Sequence, residues 1–233
     1  MNFEITKSKI IIFYLSVIIC AFSTSPSFAI NSSSMNLLLI SIMIISPLIL
    51  LISVRNITKE DILLILFFLS IIFSPLLNNP ETMRWSTVMY SFMFGITFLV
   101  YKHLLYKNVL EFEYFIKILK YLIYAYTIVL IIQQACVLLG LPIFNIHAYD
   151  PTTPWKLNSL SSEPSHSARF VGLLMFCYII SKEIFMDKKY SLSSNFKEDK
   201  YIWISFFWTM LTMNSGTSLL FVILVLSIFL RLR

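Results

Sequence analysis

The chain has 233 residues, of which 58% are hydrophobic and only 13% charged, and its mean hydropathy is +0.81. An average soluble domain is about 25% charged, so the composition points to a bilayer as solvent. The formal charge of +6 is then a matter of which membrane face the basic residues occupy, not of nucleic acid.

Apolar stretches near bilayer length predict transmembrane helices over 10–30, 35–54, 61–77, 85–105, 115–139, 168–185, 201–212 and 217–230. The first starts with lysines and ends in STSPSFA. That pattern is shared by a cleaved signal peptide and by a retained first helix broken near Pro26, and the length of the apolar run favours retention. The last two stretches are shorter than the roughly 20 residues a bilayer core requires, so either their ends extend into the flanks or the turn from Met213 to Gly216 sits below the surface. With a cytoplasmic N-terminus, fifteen of the eighteen basic residues fall inside, and only Arg84, Lys156 and Arg169 fall outside. The expectation is an all-α polytopic membrane bundle. It would be a single integral domain over 1–233 with about eight transmembrane helices and both ends cytoplasmic.

Two connections stand out. The outer one, 140–167, carries prolines at 142, 151, 154 and 164, which favours a shaped loop over a continuous helix. Trp155 and Tyr149 in it suit a headgroup level. The inner one, 187–200, reads DKKYSLSSNFKEDK and is expected to be a solvated cytoplasmic turn.

Cys20, Cys136 and Cys177 lie in apolar segments without CxxC or Cys-His spacing and read as small buried hydrophobes. His103, His147 and His166 are too far apart in sequence to suggest a metal site, and four glycines leave no phosphate-cradling loop of the nucleotide-binding kind. No metal and no cofactor is expected. Chemistry would fall to side chains at the helix mouths.

Three such groups are present. In SSEPSHSARF, Pro164 suits a first helical turn and Ser162 or Ser165 could cap it. Glu163, His166 and Arg169 recur at three-residue spacing, so a carboxylate, a titratable ring and a fixed cation form a slanting track along the helix, with Ser165 and Ser167 beside them. A Glu163–Arg169 ion pair with capping serines is the plainer account. In NNPETMRWSTVMY, Arg84 precedes the fourth stretch and could join Arg169 in clamping a diphosphate, or pair simply with Glu81. In LTMNSGTSLLFV, the side chains of Asn214, Ser215 and Thr217 surround Gly216 at a tight turn, which serves either a ligand or the capping of a helical hairpin.

SSEPSHSARF resembles the Ser-Glu-Pro-Ser motif of bacterial O-antigen, capsular and exopolysaccharide repeat-unit polymerases, which are related to O-antigen ligases, and LTMNSGTSLL is similar to their threonine-serine hairpin. The family often has an arginine after the serine of that hairpin, where this chain has Gly216. Family members carry more spans than this chain offers, which implies a truncated product, a fragment or a reduced relative. The resemblance implies polymerisation of undecaprenyl-diphosphate-linked oligosaccharide repeat units at the outer face of the bacterial cytoplasmic (inner) membrane. A sugar hydroxyl would attack an anomeric carbon, and lipid diphosphate would leave. Glu163 or His166 would take the proton, while Arg169 and Arg84 would offset charge on the leaving group. Ser165, Ser167, Asn214, Ser215 and Thr217 would contact substrate. Membrane lipid and other polysaccharide assembly proteins are the further partners implied. O-antigen ligase-like glycan transfer and lipid-glycan transport are the alternatives, the latter weakened by the lack of an internal repeat.

Overall fold

The computed structural model describes residues 2–24, 26–30, 33–37, 44–53, 58–78, 81, 84–106, 110–146, 149–187, 189–213 and 215–230. The chain divides into two compact units: Met1–Ser23 with Leu38–Glu111, and Thr24–Leu37 with Phe112–Arg233.

The first unit contains α1 (Asn2–Phe22), α2 (Ser46–Ser53), α3 (Lys59–Asn78) and α4 (Trp85–Tyr106). Helix α2 packs on α1 and α4, and α3 packs on α4. Ile19, Ile49, Val100 and Leu104 are fully buried. Polar contacts pin the same helices: Ser46 Oγ meets Thr97 Oγ1 at 3.1 Å, and the Tyr101 hydroxyl donates to Ile19 O at 3.1 Å. Helix α3 begins with a reciprocal capping pair. Thr58 N–H donates to Asp61 Oδ2 at 2.8 Å while Asp61 N–H donates to Thr58 Oγ1 at 3.3 Å, satisfying two amides that a helix start otherwise leaves open. Lys102 on α4 closes the arrangement, with Nζ at 2.8 Å from Asp61 and 2.9 Å from Glu60. Burial alone would raise the Asp61 carboxyl; the hydrogen bonds from Lys102 and Thr58 and the Lys102 charge hold it at about 2 instead.

The second unit contains an antiparallel pair, β1 (Ser27–Ile30) and β2 (Ser33–Asn36), with Ser27 opposite Asn36. Helices α5 (Phe112–Leu139), α6 (Pro164–Met186), α7 (Leu192–Thr212) and α8 (Gly216–Ser227) follow, then a 3-10 turn over Ile228–Leu230. Helix α6 packs on α5, α7 and α8, and Ala168, Val171, Met175 and Ile179 on it are fully buried. Gly140 stops α5 in a left-handed conformation at φ 65. The following Leu141 N–H reaches back to Cys136 O at 2.9 Å, the usual glycine termination of a helix. Asp187, at φ 49, ends α6 by the same backbone geometry.

The helices coincide with most of the apolar stretches, but the multi-pass bundle expected from them is overturned. Among the described residues one helix, Phe112–Leu139, is long and apolar enough to cross a membrane, and 33% of its apolar window is buried within the chain; Ile10–Phe22, Val88–Leu104 and Gly216–Ser227 are shorter apolar helices. Polar groups are gathered inside the units. Asp61, His103, Gln133, Asn158 and Asp199 are each 5% exposed or less. Mean hydropathy counts residues without regard to where they pack, and here it conceals internal ion pairs and amide networks. The multi-pass inner-membrane location falls with the bundle. So do the cytoplasmic placement of both ends and the picture of a multi-pass transmembrane polysaccharide polymerase.

The segment 187–200 also differs from the solvated turn expected. Helix α7 starts at Leu192, and Asp199 is 2% exposed. Its carboxylate accepts from Tyr178 at 2.8 Å, Tyr190 at 2.7 Å and Lys182 at 2.8 Å, and Trp203 Nε1 donates to the Tyr190 hydroxyl at 3.0 Å. A buried carboxylate persists when several donors surround it. Cys177, expected to be buried, is exposed.

Candidate functional site

The loop between α5 and α6 is shaped by side-chain amides. Gln133, near the C-terminal end of α5, donates from Nε2 to Phe144 O at 2.8 Å and accepts from Ser159 N–H at 2.8 Å. Asn145 donates to Ser159 O and to Ser27 O, both at 3.0 Å, and Asn158 donates to Asn145 O at 2.9 Å. Asn145 and Ser159 hold positive φ values of 54 and 52. That conformation costs a serine more than an asparagine, and the surrounding hydrogen bonds offset it. Ser159 Oγ adds a bond to Tyr126 O at 2.6 Å.

On this base the loop presents Asp150, Thr153, Lys156 and Asn158 to a cavity of about 540 Å³. The start of α6 contributes Ser162, Glu163, Pro164 and Ser165, and the α7–α8 turn contributes Ser215 and Gly216. Asp150 closes its own turn by accepting from Thr152 N–H at 2.9 Å and Thr152 Oγ1 at 2.7 Å. The Thr152 hydroxyl and amide, assisted by Thr153 and the Lys156 charge, hold its carboxyl below the usual range. The wall therefore carries two carboxylates, one ammonium, one amide and several hydroxyls.

Glu163, not Ser162 or Ser165, is the N-cap of α6, with extended backbone at φ −141 and ψ 152 and no side-chain cap bond. Its carbonyl accepts from His166 N–H and Ser167 N–H at 3.1 and 3.2 Å, and Pro164 occupies the first turn, where a missing N–H costs nothing. The Glu163 side chain is thus released from capping. It is exposed, with Ser165 Oγ donating to Oε2 at 3.2 Å.

The sequence-derived site residues part company here. Glu163, Ser165 and Ser215 line the cavity. Thr217 supports it, with Oγ1 at 2.8 Å from Ser215 Oγ and donating to Ser165 O at 3.3 Å. His166 stands behind the wall, its Nδ1 at 3.2 Å from Ser162 Oγ. Ser167 is buried and its hydroxyl donates to Asn158 O, so it fastens the loop to α6 and does not face a ligand. Arg169 is exposed on α6 and is not part of the cavity wall, and among the described residues it forms no ion pair with Glu163. Arg84 lies in the first unit, exposed just before α4. Asn214 lies outside the described residues. The diphosphate clamp expected of Arg84 and Arg169 therefore has no counterpart in the cavity, and Lys156 is the cation on its wall.

Sequence reasoning missed Asp150, Thr153, Lys156 and Asn158 as wall residues. The signal was the run DPTTPWK, where two turn-forming prolines enclose two threonines and are flanked by one charge of each sign. No family model, curated protein or solved structure matches the chain.

Proposed function

We propose that the cavity binds a saccharide and carries out glycosyl transfer from a diphosphate-linked oligosaccharide, the reaction implied by the resemblance of SSEPSHSARF. The observation that supports this reading is the meeting of the two motifs: Ser165 and Ser215, fifty residues apart, line one cavity, and Thr217 Oγ1 bonds to Ser165 O. A wall of hydroxyls, an amide and carboxylates suits a ligand rich in hydroxyl groups, each able both to donate and to accept.

In the proposed reaction a sugar hydroxyl forms a new bond to the anomeric carbon, and the bond from that carbon to the diphosphate oxygen breaks. The electron pair leaves with the diphosphate, and the hydroxyl proton passes to Glu163. Lys156 takes the role that the sequence assigns to the arginines, offsetting negative charge on the leaving group. Undecaprenyl diphosphate is the carrier the resemblance implies.

The test is incubation of the full chain with undecaprenyl-diphosphate-linked repeat units, with glycan length read by mass spectrometry. Products longer than one repeat unit that disappear with Glu163→Gln support the reading. Absence of any transfer by folded protein would sink it.

A further inference from the structure

Beside the polar cavity lies a second groove of about 420 Å³, lined by Gln134 and Leu138 of α5, Trp155 of the loop, and Trp208, Leu211 and Thr212 of α7. The two are neighbours through shared segments. Trp155 stands between Thr153 and Lys156 of the cavity wall, and Thr212 is three residues before Ser215.

Apolar surface alone would suit any greasy ligand, so the polar atoms decide its class. Trp208 Nε1 donates to Gln134 Oε1 at 3.1 Å. An indole N–H can only donate, which orients the amide and leaves its NH₂ as the open end. Gln134 is only 6% exposed, and that NH₂ has no partner among the described residues. No side-chain nitrogen or oxygen among those residues is both sealed from solvent and unpartnered, so the NH₂ opens onto the groove its residue lines. A hydrocarbon seated there would strip water from this donor and return nothing, a penalty of the size of an unsatisfied buried group. A sugar ring answers both features: its C–H face packs on the indoles, and its hydroxyl or ring oxygen accepts from the amide. Thr212 Oγ1 already donates to Trp208 O at 2.7 Å, which leaves its lone pairs free to accept from a second hydroxyl.

We infer that the groove formed by Gln134, Trp155 and Trp208 is a saccharide subsite, holding one sugar of a chain whose reacting end enters the neighbouring cavity. The binding claim stands on the groove alone; its place in a reaction rests on the proposed glycosyl transfer.

The experiment is titration of the full chain with maltotriose, cellotriose and N-acetylchitotriose, and separately with farnesol, followed by tryptophan fluorescence. At least one trisaccharide should bind saturably. Gln134→Leu should weaken that binding about tenfold, the loss of one well-placed hydrogen bond to a desolvated partner, without weakening farnesol. Trp155→Ala, in an exposed loop position and therefore safer for folding, should weaken it by a similar factor while Trp208 still reports. No binding by any trisaccharide overturns the inference, as does undiminished binding by both variants. Binding of farnesol alone overturns it in favour of a hydrocarbon groove. Glu163→Gln separates the two claims, because it should abolish transfer and retain trisaccharide binding. Binding without transfer by the wild-type chain sinks the proposed reaction and leaves the subsite standing. Transfer at an unchanged rate in Trp155→Ala overturns the groove's place in the reaction.

Discussion

Ser159 N–H donates to Gln133 Oε1 at 2.8 Å across 26 residues of chain, fastening a loop residue with φ 52 to the C-terminal part of α5. Gln133→Leu would keep the volume and remove both the acceptor and the donor to Phe144. The buried Ser159 amide would then lack its partner, at an expected cost of about 2 kcal/mol. Urea unfolding should show a lower midpoint with an unchanged slope; an unchanged midpoint would contradict the hub.

Asp61 gives the first unit an acid-sensitive joint. Its folded carboxyl, at about 2, lies below the ordinary 3.8, so its contribution to stability is complete above about pH 4 and is lost as pH falls through about 2. Chemical denaturation at pH 5 and pH 2 should show the wild type losing more stability than Asp61→Asn, which has no such proton to gain. Equal losses would remove the Lys102–Asp61 pair from the account.

Asp199 should be the costliest buried charge to delete in the second unit. Asp199→Ala leaves the Lys182 ammonium, whose side chain is 13% exposed, with only the exposed Glu198 carboxylate at 3.3 Å and takes the acceptor from two phenol donors, and the expected loss is about 3 kcal/mol. Lys182→Met should cost about half as much, because Tyr178 and Tyr190 still donate to the carboxylate. Thermal melts that rank the two variants in the opposite order would show that the lysine, not the carboxylate, organises the cluster.

Two glycines should respond to alanine with opposite signs. A Cβ at Gly172 would fall 2.5 Å from Phe221 Cβ, the anchored end of that side chain. Helix propensity gains about 1 kcal/mol, yet overpacking against a fixed neighbour costs about 1–3 kcal/mol, so Gly172→Ala should be net destabilising. At Gly216 a Cβ meets nothing within 4 Å, and Gly216→Ala should be neutral or stabilising by about 0.5 kcal/mol. Differential scanning calorimetry on the pair checks the contrast.

The cavity wall also ranks its cations. Lys156→Ala should reduce transfer at least about tenfold if it offsets leaving-group charge, whereas Arg169→Ala, outside the wall, should retain near-wild-type product per folded protein. Loss of product in the arginine variant with the lysine variant unaffected would restore the arrangement the sequence suggests.

Local signals in the sequence located much of the helical framework. Pro164 marks the start of α6, and Gly140 marks the end of α5. That SSEPS and the turn at Ser215 lie at helix ends was also legible; that Ser165 and Ser215 share one cavity was not. What hydropathy could not supply was pairing. Asp61 and Lys102 are forty-one residues apart, and each looks like an isolated surface charge until α3 and α4 pack. The glutamines in IVLIIQQACVLL were visible as polar residues in an apolar helix, a pattern that asks for internal partners. Reading that run only as a span hid both the loop hub and the second groove. Spacing along a helix does not say which face meets a cavity, and Arg169 lies outside the wall.

The hairpin of β1 and β2 sets an order on synthesis. Ser27 N–H donates to Leu160 O at 2.7 Å, and its carbonyl accepts from Asn145, 118 residues downstream. At about 5–20 residues per second, a ribosome would expose Ser27 for roughly 6 to 24 s before its partner is made. During that interval an edge with unmet backbone groups stands open to whatever else is nascent nearby. The second unit is thus assembled only after most of the chain has been translated, and a chaperone that covers this early segment would act on the one element that has longest to wait.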